Sequence, residues 1–218
     1  MKVRGLFFAN LGIAATMAGF GLWVAAGLDQ GAELPIHWNL AGEADGYAPA
    51  ATALLWPAGV SVLIGALFAA IPRLEPLQER LEASAPLLRS VWIGTMLLMV
   101  YLQVIIAAPA LRWALGPDLL QVGLGALLVM IGNSLPKSRP SFFVGIRTPW
   151  TLADTDNWIA THRLGGKLMM GAGCLIVAAG LSPLPTIWRA AAMMALLGGA
   201  VVVPVFYSWW LWHNRSKA

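Results

Sequence analysis

"YAPAATALLWPAGVSVLIGALFAAIP", residues 47–72, contains no charged side chain. A helix crossing the roughly 30 Å hydrocarbon layer of a bilayer needs about 20 apolar residues, and this run supplies them. Comparable charge-free runs cover Gly5 to Leu28, Ser90 to Leu111, Leu119 to Pro136, Leu168 to Trp188 and Ala190 to Trp212. Gln121 and Asn133 make the run from Leu119 the most polar of them. The pattern predicts an all-α polytopic membrane protein. Residues 1–218 form a single six-transmembrane-helix bundle, with an outer polar loop and an inner amphipathic loop helix.

Composition agrees. The chain is 59% hydrophobic and 11% charged, whereas soluble domains average about 25% charged residues. So few charges cannot cover a water-facing surface, and membrane lipid is the first partner implied. The opening run is longer than the 7–15 residues typical of a secretory signal, so it reads as a retained span. Cys174 is alone, which excludes an intrachain disulfide and marks it as a small buried apolar residue.

Basic residues orient the bundle, because they concentrate on the cytoplasmic side. On the N-terminal side fall Lys2, Arg4, Arg73, Arg80, Arg89, Lys137, Arg139, Arg147, Arg163, Lys167, Arg215 and Lys217. Only Arg112 and Arg189 fall on the other. Both termini are therefore expected in the cytoplasm. The net charge of +4 faces anionic lipid and not nucleic acid. Trp23, Trp56, Trp113 and Trp188 are expected in the outer aromatic belt. Trp92, Trp209, Trp210 and Trp212 are expected in the inner one.

Chemistry has to come from the loops. The spans contain no ionisable residue of the kind that ion pathways use, and Asn10, Gln103 and Asn133 read as amides bonding between helices. No G-x-S-x-G, H-x-x-x-H or C-x-x-C pattern occurs. A metal site would have to draw on His37, Glu43, Asp45 and His162, which the topology separates, so no cofactor is expected. A metal-dependent hydrolase and a carrier for a neutral or amphipathic substrate are the alternatives to a binding protein.

The outer segment "LPIHWNLAGEADGYAP", residues 34–49, places His37, Trp38, Asn39, Asp45 and Tyr47 among the turn-formers Pro35, Gly42, Gly46 and Pro49. It combines hydrogen-bonding groups with flat apolar faces, as recognition surfaces do. On the inner side, Leu74, Leu77, Leu81 and Leu88 recur at helical spacing between Arg73 and Arg89, with Glu75, Glu79, Arg80 and Glu82 turned to the surface. The inner-loop motif, residues 133–167, contains Thr151-Leu-Ala-Asp154, read as a capping box. A helix from about Leu152 to Arg163 follows, placing Trp158 and His162 on one face near Arg147 and Arg163. Gly165-Gly166 is expected to bend the chain into the next span.

"PIHWNLAGEADGY" resembles the short P-x-H-[WF]-[ND]-x-x-G-x-x-[DN]-[GR]-[YW] motif that opens a bacterial membrane domain of unknown function. "GNSLPKSRPSFFVGIRTPWTLADTDNWIATHRLGGK" resembles the second hallmark of the same proteins, the SdpI family. Ser141 departs from that pattern, where asparagine is expected. The resemblance implies a six-span protein of the bacterial inner membrane. It implies immunity to an extracytoplasmic toxic peptide, and signal transduction through a cytoplasmic regulator. The pattern carries over to Pro35, His37, Trp38, Asn39, Gly42, Asp45, Gly46 and Tyr47 outside. Inside it carries over to Asn133, Pro136, Gly145, Arg147, Thr148, Pro149, Trp150, Thr151, Leu152, Trp158, Thr161, His162 and Arg163.

Overall fold

The computed structural model describes residues 3–76 and 78–215. Lys2, Leu77 and Lys217 lie outside the described residues, as do the side chains of Glu79, Arg80 and Arg215. In chain order the elements are α1 (Arg4–Ala26), β1 (Glu33–Trp38), β2 (Ala44–Pro49), α2 (Ala50–Leu74), α3 (Gln78–Ala83) and α4 (Ala85–Ala107). Then follow α5 (Leu119–Ser134), a single 3₁₀ turn (Leu135–Lys137), α6 (Pro149–Ala153), α7 (Thr155–Gly180) and α8 (Thr186–Arg215).

Five described helices are long and apolar enough to cross a membrane: Arg4–Ala26, Ala50–Leu74, Ala85–Ala107, Leu119–Lys137 and Thr186–Asn214. They coincide with five of the six runs in the sequence. The remaining run, Leu168 to Trp188, is divided differently. α7 begins well before it, and the chain breaks after Gly180 at the prolines of the Ser182–Pro185 turn. Arg163 and Lys167 dilute the first half of this 26-residue helix.

Buried amides hold the first three long helices together. Asn10 on α1 donates to the Ser61 carbonyl of α2 at 3.1 Å and accepts from the Trp92 indole of α4 at 2.9 Å. Gln103 on α4 donates to the carbonyls of Met17 and Leu54, each at 2.7 Å. In hydrocarbon such bonds are worth about 0.6–2 kcal/mol each. Gly21 and Gly65 leave room for these amides: a Cβ on Gly65 would lie 2.8 Å from Asn10 Cγ. Trp92 is therefore fully buried and does not belong to the aromatic belt. Trp23, Trp56, Trp113, Trp188, Trp209, Trp210 and Trp212 are exposed.

The second half of the bundle is sealed by backbone contact. A Cβ on Gly125 of α5 would lie 2.7 Å from the Gly173 carbonyl of α7, and one on Gly173 would lie 2.5 Å from the Gly125 carbonyl. Gly132 and Gly166 repeat the arrangement at 2.7 Å in both directions. α7 is thus continuous through Gly165-Gly166. The expected bend there is wrong, because these glycines serve close helix approach and not chain reversal. Cys174, expected to be buried, is exposed.

Long helices that follow one another in the chain run antiparallel, as Asn10–Ser61 with Gly21–Leu54, Leu54–Gln103 with Phe68–Trp92, Ser90–Ser134 with Tyr101–Leu119, Gly125–Gly173 with Gly132–Gly166, and Asn157–Ser208 with Gly165–Pro204 show. One end of the bundle therefore gathers the β1–β2 hairpin with the 107–119 and 180–186 turns. The other gathers residues 75–85 and 135–154. Each end has its own apolar cluster: Val24, Leu34, Ala53, Leu54 and Ile106 beneath the hairpin, and Leu81, Leu87, Leu88, Leu135 and Val144 at the opposite end.

The seam makes a direct prediction. Gly132→Ala and Gly173→Ala should each destabilise the detergent-solubilised protein by about 1–3 kcal/mol, the usual cost of overpacking. Gly171→Ala, on the same helix with nothing within 4 Å, should be neutral or mildly stabilising. Denaturation midpoints of the three variants check this.

Candidate functional site

The outer segment is an antiparallel hairpin and not an irregular loop. Asn39 builds its turn: its side-chain oxygen accepts from the amides of Ala41 and Glu43 at 2.9 and 3.0 Å, and its Nδ2 donates to Glu43 Oε2 at 3.1 Å. Gly42, at φ +83°, supplies the left-handed residue, and its amide donates to the Asn39 carbonyl. Leu34 is buried in the cluster below, and Trp38 packs against the same cluster.

Opposite His37 the register places Gly46, where a Cβ would lie only 3.0 Å from His37 Cβ. The missing side chain lets the imidazole swing to Asp45, with His37 Nδ1 2.5 Å from Asp45 Oδ1. Both groups face water, at 70% and 44% side-chain exposure. Ile36, Leu40 and Tyr47 are exposed beside them. The hairpin thus presents an ion-pairing couple amid apolar surface.

At the far end the motif residues are used differently. The chain between Ser138 and Thr148 has no regular structure, and side chains from three helices satisfy it. Glu75, at the C-terminal end of α2, accepts from the Ser141 hydroxyl at 2.8 Å and the Phe142 and Phe143 amides at 2.9 and 3.1 Å. It is 2% exposed, so the expectation that Glu75 lies on the surface is wrong. The amides of 142 and 143 need an acceptor where water is scarce. Ser141, the departure from the family pattern, is one of its partners.

His162 is fully buried, stacked on Trp158 with ring centroids 4.0 Å apart. Its Nε2 accepts the Ile146 amide at 2.8 Å, and its Nδ1 is 2.8 Å from the Trp158 carbonyl. With one nitrogen accepting and the other donating, the ring is the neutral Nδ1–H tautomer. Gly145, at φ +122°, passes close by: a Cβ there would lie 2.6 Å from His162 Nε2.

Capping follows the sequence one turn early. Thr148 caps α6 in a reciprocal box with Thr151, whereas Asp154 caps α7 through the amides of Asp156 and Asn157. The expected box at Thr151–Asp154 and the single helix from Leu152 are corrected accordingly, since the backbone leaves the helical region at Asp154. Ser208 of α8 gathers the rest. Its hydroxyl accepts from the Trp150 indole at 2.5 Å and lies 3.3 Å from Thr148 Oγ1, while its carbonyl accepts from Asn157, which in turn accepts from Thr161.

Not every expected residue joins this network. Arg147 is exposed, its guanidinium donating to the Phe142 carbonyl at 2.7 Å. Arg163 and Asn133 are exposed on their helices, so Asn133 is not the interhelical amide it was expected to be. The inner amphipathic helix is reduced to α3, with Leu81 and Leu88 buried but Leu74 exposed. Glu75, Ser84, Ser138 and Ser208 were missed. Among the described residues no three His, Cys, Asp or Glu side chains gather as metal ligands. The hydrolase alternative required His37 to meet His162, and they sit at opposite ends of the bundle.

Five long apolar helices and an apolar exposed surface define a multi-pass integral membrane protein. Two family descriptions match separate stretches of the chain: a domain of unknown function (DUF1648) over residues 12–60, and the SdpI/YfhL protein family over residues 137–208. The "Immunity protein SdpI" of Bacillus subtilis (strain 168) is 32% identical over 85 residues, which is 38% of this chain and 41% of that protein. The match thus spans about two fifths of the curated relative. No solved structure matches. The chain is thus similar to the SdpI/YfhL protein family over residues 137–208.

His162→Ala should destabilise the protein by at least about 1–3 kcal/mol, because the Ile146 amide loses its acceptor; denaturation midpoints check this.

Proposed function

We propose that the chain is a non-enzymatic membrane immunity protein of the bacterial inner membrane. Its hairpin binds an extracytoplasmic toxic peptide or amphiphile, and its opposite end offers a surface to a cytoplasmic regulator. The observation that carries this reading is the water-facing His37–Asp45 pair, set among exposed Ile36, Leu40 and Tyr47 on a hairpin fastened to the bundle. An amphipathic ligand needs both parts: charge complementarity to orient it and apolar area to hold it. The relative's name, an immunity protein, supports the same direction.

In this reading α7 is the sixth crossing and both termini are cytoplasmic. The 26 residues of α7 rise about 39 Å, enough to span the hydrocarbon with its basic first half at the boundary. The exposed charges of Arg147 and Arg163 then face the cytoplasm. The buried residues Trp158, Thr161, His162, Thr148 and Thr151 fix the shape of that surface without touching the partner.

Two measurements test the proposal. In cells challenged with secreted killing peptides, His37→Ala and Asp45→Ala should lower protection on the order of tenfold to a hundredfold, as expected for lost charged hydrogen bonds. Unchanged tolerance in correctly inserted protein overturns the ligand assignment. For orientation, a membrane-impermeant thiol reagent should label Tyr47→Cys in intact cells but Arg163→Cys only after permeabilisation, both in a Cys174→Ala background. Labelling of both from one side sinks the arrangement.

A further inference from the structure

At the motif end a cavity of about 260 Å³ opens between α1 and α2, lined by Val3, Phe7, Ala66, Ala69 and Ala70, with Arg4 and Arg73 beside them. We propose that it is a site for one anionic phospholipid, an acyl chain lying along the alanine face of α2 and the phosphate held between the two guanidinium groups. The small side chains of α2 create the groove, because Ala66, Ala69 and Ala70 recur on one helical face opposite Phe7. Its walls are apolar, as an acyl chain requires.

The polar end is specific about charge. Arg4 opens α1 and Arg73 lies in the last turn of α2, so two helices each bring one cation to the same mouth. Both are exposed, and among the described residues neither pairs with a carboxylate. α1 has no acidic residue in its first turn and no side-chain cap on its amides, which leaves its positive dipole end available as well. Basic pockets between membrane helices recognise anionic headgroups through this combination. Two guanidiniums favour a headgroup of net negative charge, whereas the quaternary ammonium that a zwitterionic choline headgroup adds to its phosphate is repelled by them. The site lies apart from the hairpin and does not depend on the immunity reading.

The test uses delipidated full-length protein in neutral detergent, with bound lipid counted by intact-complex mass spectrometry. Palmitoyl-oleoyl phosphatidylglycerol should be retained in preference to phosphatidylcholine of the same chains. The Arg4→Gln/Arg73→Gln double variant should lose that preference, on the order of thirtyfold for two cations. Ala69→Leu, which fills the groove and leaves both arginines in place, should weaken retention of either lipid. Arg89→Gln, on α4, should leave the preference intact. Glycerol phosphate without acyl chains should not compete. Equal retention of the two lipids, a preference that survives the double substitution, or competition by glycerol phosphate as strong as by the lipid would each overturn the proposal. Circular dichroism of every variant confirms that the helices persist.

Discussion

Backbone amides near a bilayer must be satisfied from within the protein, since little water is there to do it. The long helices meet that requirement with their own ladders. The stretch from Ser138 to Thr148 does not, and most of the motif chemistry at that end answers to this one need. Glu75 takes the amides of Phe142 and Phe143, His162 takes that of Ile146, and Thr151 takes that of Thr148. Ser84 exchanges hydrogen bonds with the backbone of Arg139 in both directions. Remove any of these acceptors and a buried donor is left unpaired, at about 1–3 kcal/mol each. The buried polar residues here are fasteners for an irregular segment that a helix could not replace.

That explains what sequence reasoning reached and what it missed. Charge-free runs specify spans almost without context, so five helices were legible with their boundaries nearly right. The hairpin was seen only as a compact polar segment. Of its expected turn-formers only Gly42 lies in the turn, while Pro35, Gly46 and Pro49 lie in the strands, and its strand alternation is short and broken by irregular register between Pro35 and Trp38. Glu75 was misread because leucine spacing placed it on the wet face of a helix. The chain in fact leaves the helical region at that residue, and the amides that claim it come 67 and 68 positions later. Gly165-Gly166 was ambiguous in itself, since a glycine pair marks either a bend or a close contact. Only Gly125 and Gly132, seven residues apart as are Gly166 and Gly173, reveal which.

The two halves of the bundle are also mechanically distinct. Asn10 and Gln103 bind α1, α2 and α4 by side-chain amides, whereas α5 and α7 touch backbone to backbone. The first kind of joint exchanges hydrogen-bond partners at small cost when helices slide, because carbonyls repeat along each helix. The second resists sliding, since any shift drives a carbonyl into a side chain. Motion between the ends is therefore easier to accommodate in the α1–α2–α4 half.

Two rods connect the hairpin to the irregular segment. α2 starts directly after Pro49 of β2, and Glu75 follows its last residue to hold residues 141–143. α8 starts beneath the hairpin turn, where a Cβ on Gly42 would meet the Thr186 methyl at 3.1 Å, and it reaches Ser208 against Thr148 and Trp150. Arg189 anchors the near end of α8 to Asp118 at 2.7 Å and to Thr186 at 2.9 Å, which ties α8 to the rigid half. A ligand on the hairpin shifts the far end only if it prefers one position of these rods over another. α8 is pinned at its start to Asp118, just before α5, whereas α2 is held to α1 and α4 by amide hydrogen bonds and apolar packing, so the proposed relay would run along α2.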